Sequence, residues 1–447
     1  MKNTKAKQSD IFLSLYSYAN DEITLLRTYY TNTSKNINQE RLKVDSLYQP
    51  GKKIDSLIDS FVERRGDSFA INEEKYASAK DTIIVNDVKF QDIIESVSIS
   101  EDGKSIRFKL TETHKHNNTF NPNEARYKCQ EAQRMEAIFS RSIISDLMVA
   151  FESLLSKLFK NIILNNPFPY LEGETVPIAN FFLNDAAKSI HEKIEGIVDK
   201  RMYDSLKTLT DIIAAEKIDI DKDILASFKE MYFRRNVIVH NDCKVNKQYL
   251  SSINSEYRKD KKTGDLLICD QVYLDNAFNT VYGLLFFIFY GLLQNYSNWD
   301  EYNQIIETVA FSHLRNKDYQ IAKTIYKKLS TNNSIDFALK MMYRINYLNA
   351  LKQLGEKDVV DGELKKLDVS IATDNYKIAK LCLQDDNVAI LRMLQNTYPN
   401  SFTAKQIKEW PIFINFRESE EYKTFCSEHT DDFANEEFTS EKTNNAN

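Results

Sequence analysis

The clearest regularity in the chain is an apolar stripe with a helical period. Between residues 143 and 158, apolar side chains stand three and four positions apart, the spacing that lines one face of an α-helix. They are Ile143, Ile144, Leu147, Met148, Phe151, Leu154, Leu155 and Leu158. The same period predicts helices at Phe181–Val198, Met202–Glu216 and Asp223–His240. Several such helices together predict a helical bundle.

The last helix of this bundle, from Tyr273 to Tyr296, is apolar nearly all round. A helix of that kind is buried, either in its own bundle or against a second subunit, and Phe286–Tyr290 is our candidate for part of such an interface. Its apolar run, Val281–Leu293, has 13 residues. A membrane-spanning helix needs about 20, so no membrane association is expected.

The regions on either side of the bundle show different patterns. Residues 1–123 predict a small α+β domain, with helices near Asn20–Tyr30 and Lys53–Arg64. Strands are predicted at Thr82–Val85, Ser96–Ser100 and Ser105–Leu110, the last two joined by a hairpin turn at residues 101–104. We expect this domain to act as a sensor.

Residues 299–426 carry shorter amphipathic segments, including Tyr319–Leu329 and Tyr347–Gly355. They predict an array of helical hairpins. The remaining residues, 427–447, are acidic and rich in asparagine, which predicts a disordered tail. The fold class expected is therefore mainly α, with the bundle at 124–298 between the two flanking domains.

Composition narrows the class of protein. Only 10 glycines and 7 prolines occur in 447 residues, which favours long helices over tight turns. The five cysteines are scattered and form no paired motif, and no apolar stretch follows the first residues as in a secretory signal, so a cytoplasmic protein is expected. No phosphate-binding glycine loop, nucleophile elbow or metal-ligand spacing is present, so we expect neither a cofactor nor a metal.

Net charge is −6, which gives no general affinity for nucleic acid. Residues 229–262, however, hold nine Lys and Arg against four acids. This basic stretch is either a solvated face or a binding patch, and composition alone leaves both open.

The most informative helix lies at the start of the basic stretch. On a wheel of 100° per residue counted from Ile224, Arg235 falls at about 20°, within the apolar stripe. Asn236 and His240 fall side by side at about 120° and 160°, and Arg234 lies near −80° on the other flank. The apolar stripe consists of Ile224, Phe228, Met231 and Ile238. An arginine on such a stripe needs a partner, a cavity or an interface. It is either tied to a carboxylate such as Glu152 or part of an electropositive pocket.

The segment from Arg235 to His240, RNVIVH, resembles the R-x4-6-H motif of HEPN domains, the higher eukaryote and prokaryote nucleotide-binding family. Asn236 matches the polar residue that typically follows the arginine. The resemblance covers about residues 125–296, including the amphipathic first helix and the apolar last one. Arg234 also fits the R-x4-6-H motif, since five residues separate it from His240.

This resemblance implies a metal-independent endoribonuclease that works as a homodimer. Attack of a ribose 2′-OH on the adjacent phosphate would leave a cyclic phosphate and a 5′-hydroxyl. Histidine changes charge near neutral pH, so His240 suits proton transfer, while Arg235 suits binding of the phosphoryl oxygens. Asn236 would orient His240 or the phosphate, and Arg234, Lys244 and Lys247 are further candidates for contact with the RNA.

The resemblance also suggests a biological setting. Prokaryotic proteins with this motif often act as toxins or in anti-phage abortive infection, so RNA such as tRNA and a phage-derived or protein trigger are the expected partners. The alternative is a non-catalytic helical scaffold in which the Arg–His pair is structural.

Overall fold

The computed structural model describes most of the chain and is mainly helical. The described residues are 2–65, 68–82, 84–85, 88–89, 92, 94–103, 106–111, 122–166, 168–171, 175, 186–297, 299–333, 335–369 and 373–433. The first residues of the predicted helix Phe181–Val198, 181–185, and residues 434–447 of the predicted tail lie outside them.

The helices follow one another along the chain with few strands between them. They are α1 (Lys2–Phe61), α2 (Glu73–Thr82), α3 (Pro122–Asn165), α4 (Phe168–Leu171), α5 (Ala186–Met202), α6 (Ser205–Ala215), α7 (Lys222–His240), α8 (Lys247–Ser252), α9 (Ser255–Arg258), α10 (Gln271–Tyr296), α11 (Trp299–Arg315), α12 (Tyr319–Ser330), α13 (Phe337–Gln353), α14 (Lys357–Leu364), α15 (Asp374–Leu383), α16 (Asn387–Thr397), α17 (Ala404–Glu409), α18 (Glu420–Glu428) and α19 (Thr430–Phe433). Two short 3₁₀ turns, Pro411–Phe413 and Phe416–Glu418, precede α18.

The strands of the described residues form three antiparallel pairs. They are β1 (Val62–Arg65) with β2 (Ser68–Ile71), β3 (Ile84–Val85) with β4 (Val88–Lys89), and β5 (Ile94–Ile99) with β6 (Ile106–Leu110). The β5–β6 pair confirms the hairpin predicted around residues 101–104. Gly103 lies there with a φ of 69°, a conformation that glycine adopts without strain.

The chain divides into two compact units. Unit 1 contains residues 1–24, 147–265 and 275–447, and unit 2 contains residues 25–146 and 266–274. The two units are defined by contacts in space and do not follow the domain boundaries expected from the sequence. Those domain boundaries remain a prediction.

Helix α10 is deeply buried over most of its length. It is long and apolar enough to cross a membrane, but 83% of its most apolar window is buried inside the chain. Phe286, Phe287 and Tyr290 are all buried. The prediction of a buried helix is confirmed, and the proposed interface at Phe286–Tyr290 is wrong because the chain itself covers these side chains.

The N-terminal part of α1 supplies some of that cover. The Phe12 ring lies 5.5 Å from that of Tyr296, and the Tyr16 ring lies 5.3 Å from that of Phe289. The sequence predicted two separate helices before residue 64, whereas α1 is continuous from Lys2 to Phe61. Within unit 1, the buried side chains of α1 include Phe12, Tyr16, Ala19 and Ile23. These residues stand three or four positions apart in a mostly polar segment, which is the spacing of one helix face. Packing on α10 therefore stabilises a helix whose own pattern is weak.

The C-terminal helices pack around a core of their own within unit 1. Buried side chains from α13 to α19 form one continuous cluster that includes Leu348, Leu394 and Phe413. This confirms a helical region, although residues 347–353 belong to the longer helix α13 and Leu354 and Gly355 follow its end. The predicted disorder from residue 427 is wrong for residues 427–433, because Phe433 is buried against the rings of Tyr422 and Phe425.

Two glycines of α10 allow neighbouring segments to approach closely. A Cβ atom added at Gly291 would lie 2.7 Å from Cγ2 of Ile218, which is itself buried. At Gly283 it would lie 2.9 Å from Cδ1 of Ile224 at the start of α7. By contrast, nothing lies within 4 Å of a Cβ added at Gly196 on α5.

We expect Gly291→Ala to lower the free energy of unfolding and Gly196→Ala to raise it. Overpacking a core costs about 1–3 kcal/mol, which exceeds the gain of about 1 kcal/mol from replacing a helical glycine with alanine. At Gly196 the added methyl group would meet no neighbour, so only the gain in helix stability applies. Urea unfolding followed by circular dichroism measures both, and an equal gain from the two substitutions would contradict the close packing of α10.

Candidate active site

Helix α7 carries the residues that the sequence singled out. Asp221 caps its start, because its carboxylate accepts hydrogen bonds from the backbone N–H groups of Asp223 (2.9 Å) and Ile224 (3.4 Å). The helix ends at His240, as predicted, and its start lies within one residue of the prediction. The following residues Asp242 and Cys243 have positive φ angles of 50° and 60°, so the chain turns sharply there.

The buried face of α7 differs from the face that the helical wheel predicted. Its buried residues are Ala226, Phe228, Glu230, Met231, Arg234 and Val237. They centre near −80° on the wheel, where Arg234 lies, and not near 0°. The reason is a charge pair four residues apart: Nε of Arg234 donates to Oε1 of Glu230 at 2.8 Å, and both side chains are almost fully buried.

A third side chain completes this buried cluster. The hydroxyl of Tyr249, on α8, donates to the same Oε1 of Glu230 at 2.5 Å. Burial and the nearby Glu230 carboxylate raise the pKa of Tyr249, so the hydroxyl keeps its proton. We call Glu230, Arg234 and Tyr249 the α7–α8 cluster. It holds α8 against α7 through charge-assisted hydrogen bonds.

A cavity of about 480 Å³ opens beside α7 and α8. Its lining comes from α3, α5, α6 and the turn between α5 and α6, in addition to α7 and α8. The lining residues are Glu152, Met202, Tyr203, Ser205, Tyr232, Phe233, Arg235, Asn236, Val237, His240, Asn246, Gln248 and Tyr249. The three predicted catalytic residues, Arg235, Asn236 and His240, therefore face one common space.

The guanidinium of Arg235 is only partly satisfied by its neighbours. Nη1 donates to Oδ1 of Asn236 at 3.2 Å, and Nη2 lies 3.9 Å from Oε2 of Glu152, at the outer limit of an ion pair. Nε is buried and finds no acceptor in the described part of the chain. An unpaired buried donor is costly, and the long contact with Glu152 also leaves the guanidinium incompletely paired.

Glu152 belongs to the cavity through a second contact as well. Its Oε1 accepts a hydrogen bond of 2.9 Å from the hydroxyl of Ser205, the first residue of α6. This bond holds the carboxylate in place beside Arg235. The structure thus contains both features that the sequence left open for Arg235, the carboxylate partner and the cavity.

His240 lies at the exposed end of α7, and Asn236 lies one turn before it. Tyr232 precedes them by one more turn, so the three residues stand four apart on the same side of the helix. Tyr232 and its neighbour Phe233 form an edge-to-face ring pair with centroids 5.4 Å apart. The four-residue spacing is visible in the sequence and could have added Tyr232 to the predicted site.

The predicted RNA contacts do not line the cavity. Arg234 is buried in the α7–α8 cluster, a position that does not fit a contact with RNA. Lys244 is exposed, with its Nζ 3.5 Å from Oδ2 of Asp242, and Lys247 is exposed at the first turn of α8.

Sequence reasoning missed Tyr203, Ser205 and Gln248. Each comes from a segment that reaches the cavity only through the tertiary fold, so no local pattern marks them. Among the described residues, no group of three or more His, Cys, Asp or Glu side chains could hold a metal ion.

Comparisons with protein-family models, with curated proteins and with solved structures give no match to this chain.

The neighbours Arg234 and Arg235 should lose very different amounts of stability on the same substitution. Arg234→Met leaves the Glu230 carboxylate buried without its charge partner, which should cost about 3–5 kcal/mol of folding free energy. Arg235→Met removes a side chain that is one-quarter exposed and weakly paired. It should cost about 1 kcal/mol or less.

Urea unfolding of the two variants provides the measurement. The double variant Glu230→Leu/Arg234→Met serves as the control, since removing both charges should recover much of the loss. A larger loss for Arg235→Met than for Arg234→Met would make Arg235 the structural residue of the pair.

Proposed function

We propose that this protein is an endoribonuclease of the HEPN type that cleaves RNA by attack of a 2′-OH on the adjacent phosphate without a metal ion. The observation that carries the proposal is the shared cavity, which brings Arg235, Asn236 and His240 together and leaves donor capacity on the arginine unused. These residues form the R-x4-6-H pattern in the sequence. The cavity therefore supports a chemical role for the pattern.

Arg235 is the phosphate-binding residue of this mechanism. Its guanidinium is planar, stays charged, and can donate to two phosphoryl oxygens at once. The negative charge on these oxygens grows as the 2′-oxygen attacks, so fixed donors stabilise the transition state more than the ground state. Asn236, bonded to Nη1, holds the guanidinium in a defined orientation.

His240 is the proton-transfer residue. The reaction forms one P–O bond to the 2′-oxygen and breaks the P–O bond to the 5′-oxygen of the next nucleotide. The 2′-OH loses its proton, and the leaving 5′-oxygen gains one, so no net proton is consumed. A histidine at the open end of α7 can reach substrate, and an imidazole can both accept and donate a proton. The products carry a 2′,3′-cyclic phosphate and a 5′-hydroxyl.

The proposal includes a homodimer. The resemblance implies that two subunits place their Arg and His residues near each other, so that one histidine accepts a proton while the other donates one. A cytoplasmic location, tRNA or other cellular RNA as substrate, and a phage-derived or protein trigger sensed by residues 1–123 belong to the same proposal. Such an enzyme would act in anti-phage defence or as a toxin.

A second candidate function is a scaffold in which the Arg–His pair has no chemical role. The contact of Arg235 with Glu152 favours it, since a carboxylate beside the guanidinium competes with phosphate. The 3.9 Å separation and the unsatisfied Nε atom favour the enzyme, because a structural ion pair gains most from short, complete hydrogen bonds.

RNA cleavage in EDTA separates the two candidates. Purified protein is incubated with total cellular RNA and with tRNA, and the product ends are mapped. We expect the wild type to give cyclic-phosphate ends and His240→Ala to lose at least about a hundredfold in rate, the lower range for a general acid–base residue. His191→Ala, at an exposed histidine outside the cavity, is the matched control and should cleave like the wild type.

Equal cleavage by His240→Ala and the wild type would remove His240 from the mechanism. Cleavage by no variant, with or without the expected trigger, would favour the scaffold. Size-exclusion chromatography and circular dichroism of each variant verify that folding and assembly are unchanged.

We expect overproduction of the wild-type protein to arrest bacterial growth, because uncontrolled cleavage of cellular RNA stops translation. His240→Ala should relieve the arrest, whereas His191→Ala should not. Growth curves with matched protein levels on immunoblots measure the effect. Equal toxicity of all three proteins would separate growth arrest from cleavage at this site.

A further inference from the structure

Tyr203 presents an aromatic ring to solvent at the cavity that contains Arg235 and His240. The residue is 92% exposed and lies in the turn between α5 and α6. Single exposed apolar residues are common on protein surfaces, and exposure alone assigns no role. Tyr203, however, is the one exposed large apolar side chain of the described residues that also lines this cavity.

The backbone on both sides of Tyr203 is firmly held. The N–H of Asp204 donates to the carbonyl of Arg201 at 3.2 Å, and the hydroxyl of Thr208 donates to the same carbonyl at 2.8 Å. The Asp204 carboxylate caps α6 by accepting from the N–H of Lys207 at 3.1 Å. The turn is therefore fixed by its neighbours, and the ring of Tyr203 contributes no packing that would explain its place.

The charges of the cavity are few. Among the described residues that line it, Arg235 is the one Lys or Arg side chain and Glu152 is the one carboxylate. Lys244 and Lys247 lie outside the lining, and the chain as a whole carries a net charge of −6. One guanidinium can bind one phosphate, which is a weak anchor for a polynucleotide. A substrate held here needs a second contact that does not depend on charge.

We propose that Tyr203 is the base-binding residue of this site, and that its ring stacks on an unpaired nucleobase next to the phosphate bound by Arg235. The inference rests on the proposed endoribonuclease function and adds to it a residue that selects the substrate. An aromatic ring at the rim and a guanidinium inside the cavity match the two parts of one nucleotide, the base and the phosphate.

The chemistry of stacking determines which RNA fits. In a duplex each base is already stacked and paired, so its face is not free to meet Tyr203. In a loop or a single strand the base can turn outward and cover the ring, which removes apolar surface of both partners from water. The site therefore selects a nucleotide in an unpaired segment.

The test measures binding separately from cleavage. The probe is a short single-stranded RNA with 2′-O-methyl groups throughout, which lack the attacking 2′-OH and stay intact. Its affinity for the full-length protein is determined by fluorescence anisotropy. Matched probes carry one abasic nucleotide at successive positions, and a fully paired duplex of the same sequence is the competitor.

We expect Tyr203→Ala to weaken binding of the intact probe about 5- to 100-fold, the range that corresponds to loss of one stacked base. Tyr203→Phe and Tyr203→Trp should bind like the wild type. Phe337→Ala, at another highly exposed aromatic residue outside the cavity, is the matched control and should change nothing. At one abasic position the wild type should bind as weakly as Tyr203→Ala, and the two losses should not add.

Binding of the intact probe that is equally tight for Tyr203→Ala and the wild type overturns the stacking proposal and leaves the endoribonuclease proposal standing. Absence of RNA binding and RNA cleavage by the wild type overturns both. If Tyr203→Ala instead dissociates a dimer in sedimentation experiments while each subunit stays folded, the ring is covered by a second copy of the chain, and the proposal fails for that reason.

Discussion

The orientation of α7 depends on one buried contact, the α7–α8 cluster of Glu230, Arg234 and Tyr249. Successive residues on a helix are turned by about 100°, so burying Arg234 places Arg235 on the flank that faces the cavity. Asn236 and His240 follow on the same side. The cluster also holds α8, whose residues close the other side of the cavity. A contact that takes no part in the proposed chemistry thus decides which arginine is available for it.

A buried ion pair is an expensive way to fix a helix, because both charges lose their hydration. An apolar pair of similar volume can be nearly as stable, but it lacks the directional hydrogen bonds that fix the rotation of a helix. The hydroxyl of Tyr249 and the N–H of Arg234 both require one particular oxygen of Glu230, which defines a single rotation. The close approach of Ile224, at the start of α7, to Gly283 of α10 restricts the same helix as well.

Much of the fold follows from periodicity alone. The bounds of α7, the burial of α10 and the β5–β6 hairpin were predictable because each depends on local pattern or on a continuous apolar run. The length of α1 was not predictable from the sequence. Its segment is mostly polar, and the helix is stabilised by packing against residues that are distant in the sequence. The wheel favours Arg235 over Arg234 because Arg235 lies within the apolar stripe, which such a wheel equates with the buried face. Arg234 and Glu230 neutralise each other and are buried together, so the true buried face was turned by about 80° on that wheel.

The residues of the candidate site were likewise predictable from the sequence only in part. Arg235, Asn236 and His240 share one helix, so the sequence could place them together, whereas Glu152, Tyr203 and Ser205 reach them only through the fold. The hydrogen bond from Ser205 holds Glu152 at 3.9 Å from Arg235, where it can orient the guanidinium without saturating its donors. A carboxylate free to move closer would form a complete ion pair and exclude an anion. In the proposed mechanism, the Ser205–Glu152 bond therefore keeps the guanidinium of Arg235 oriented and incompletely paired, as binding of a phosphate would require.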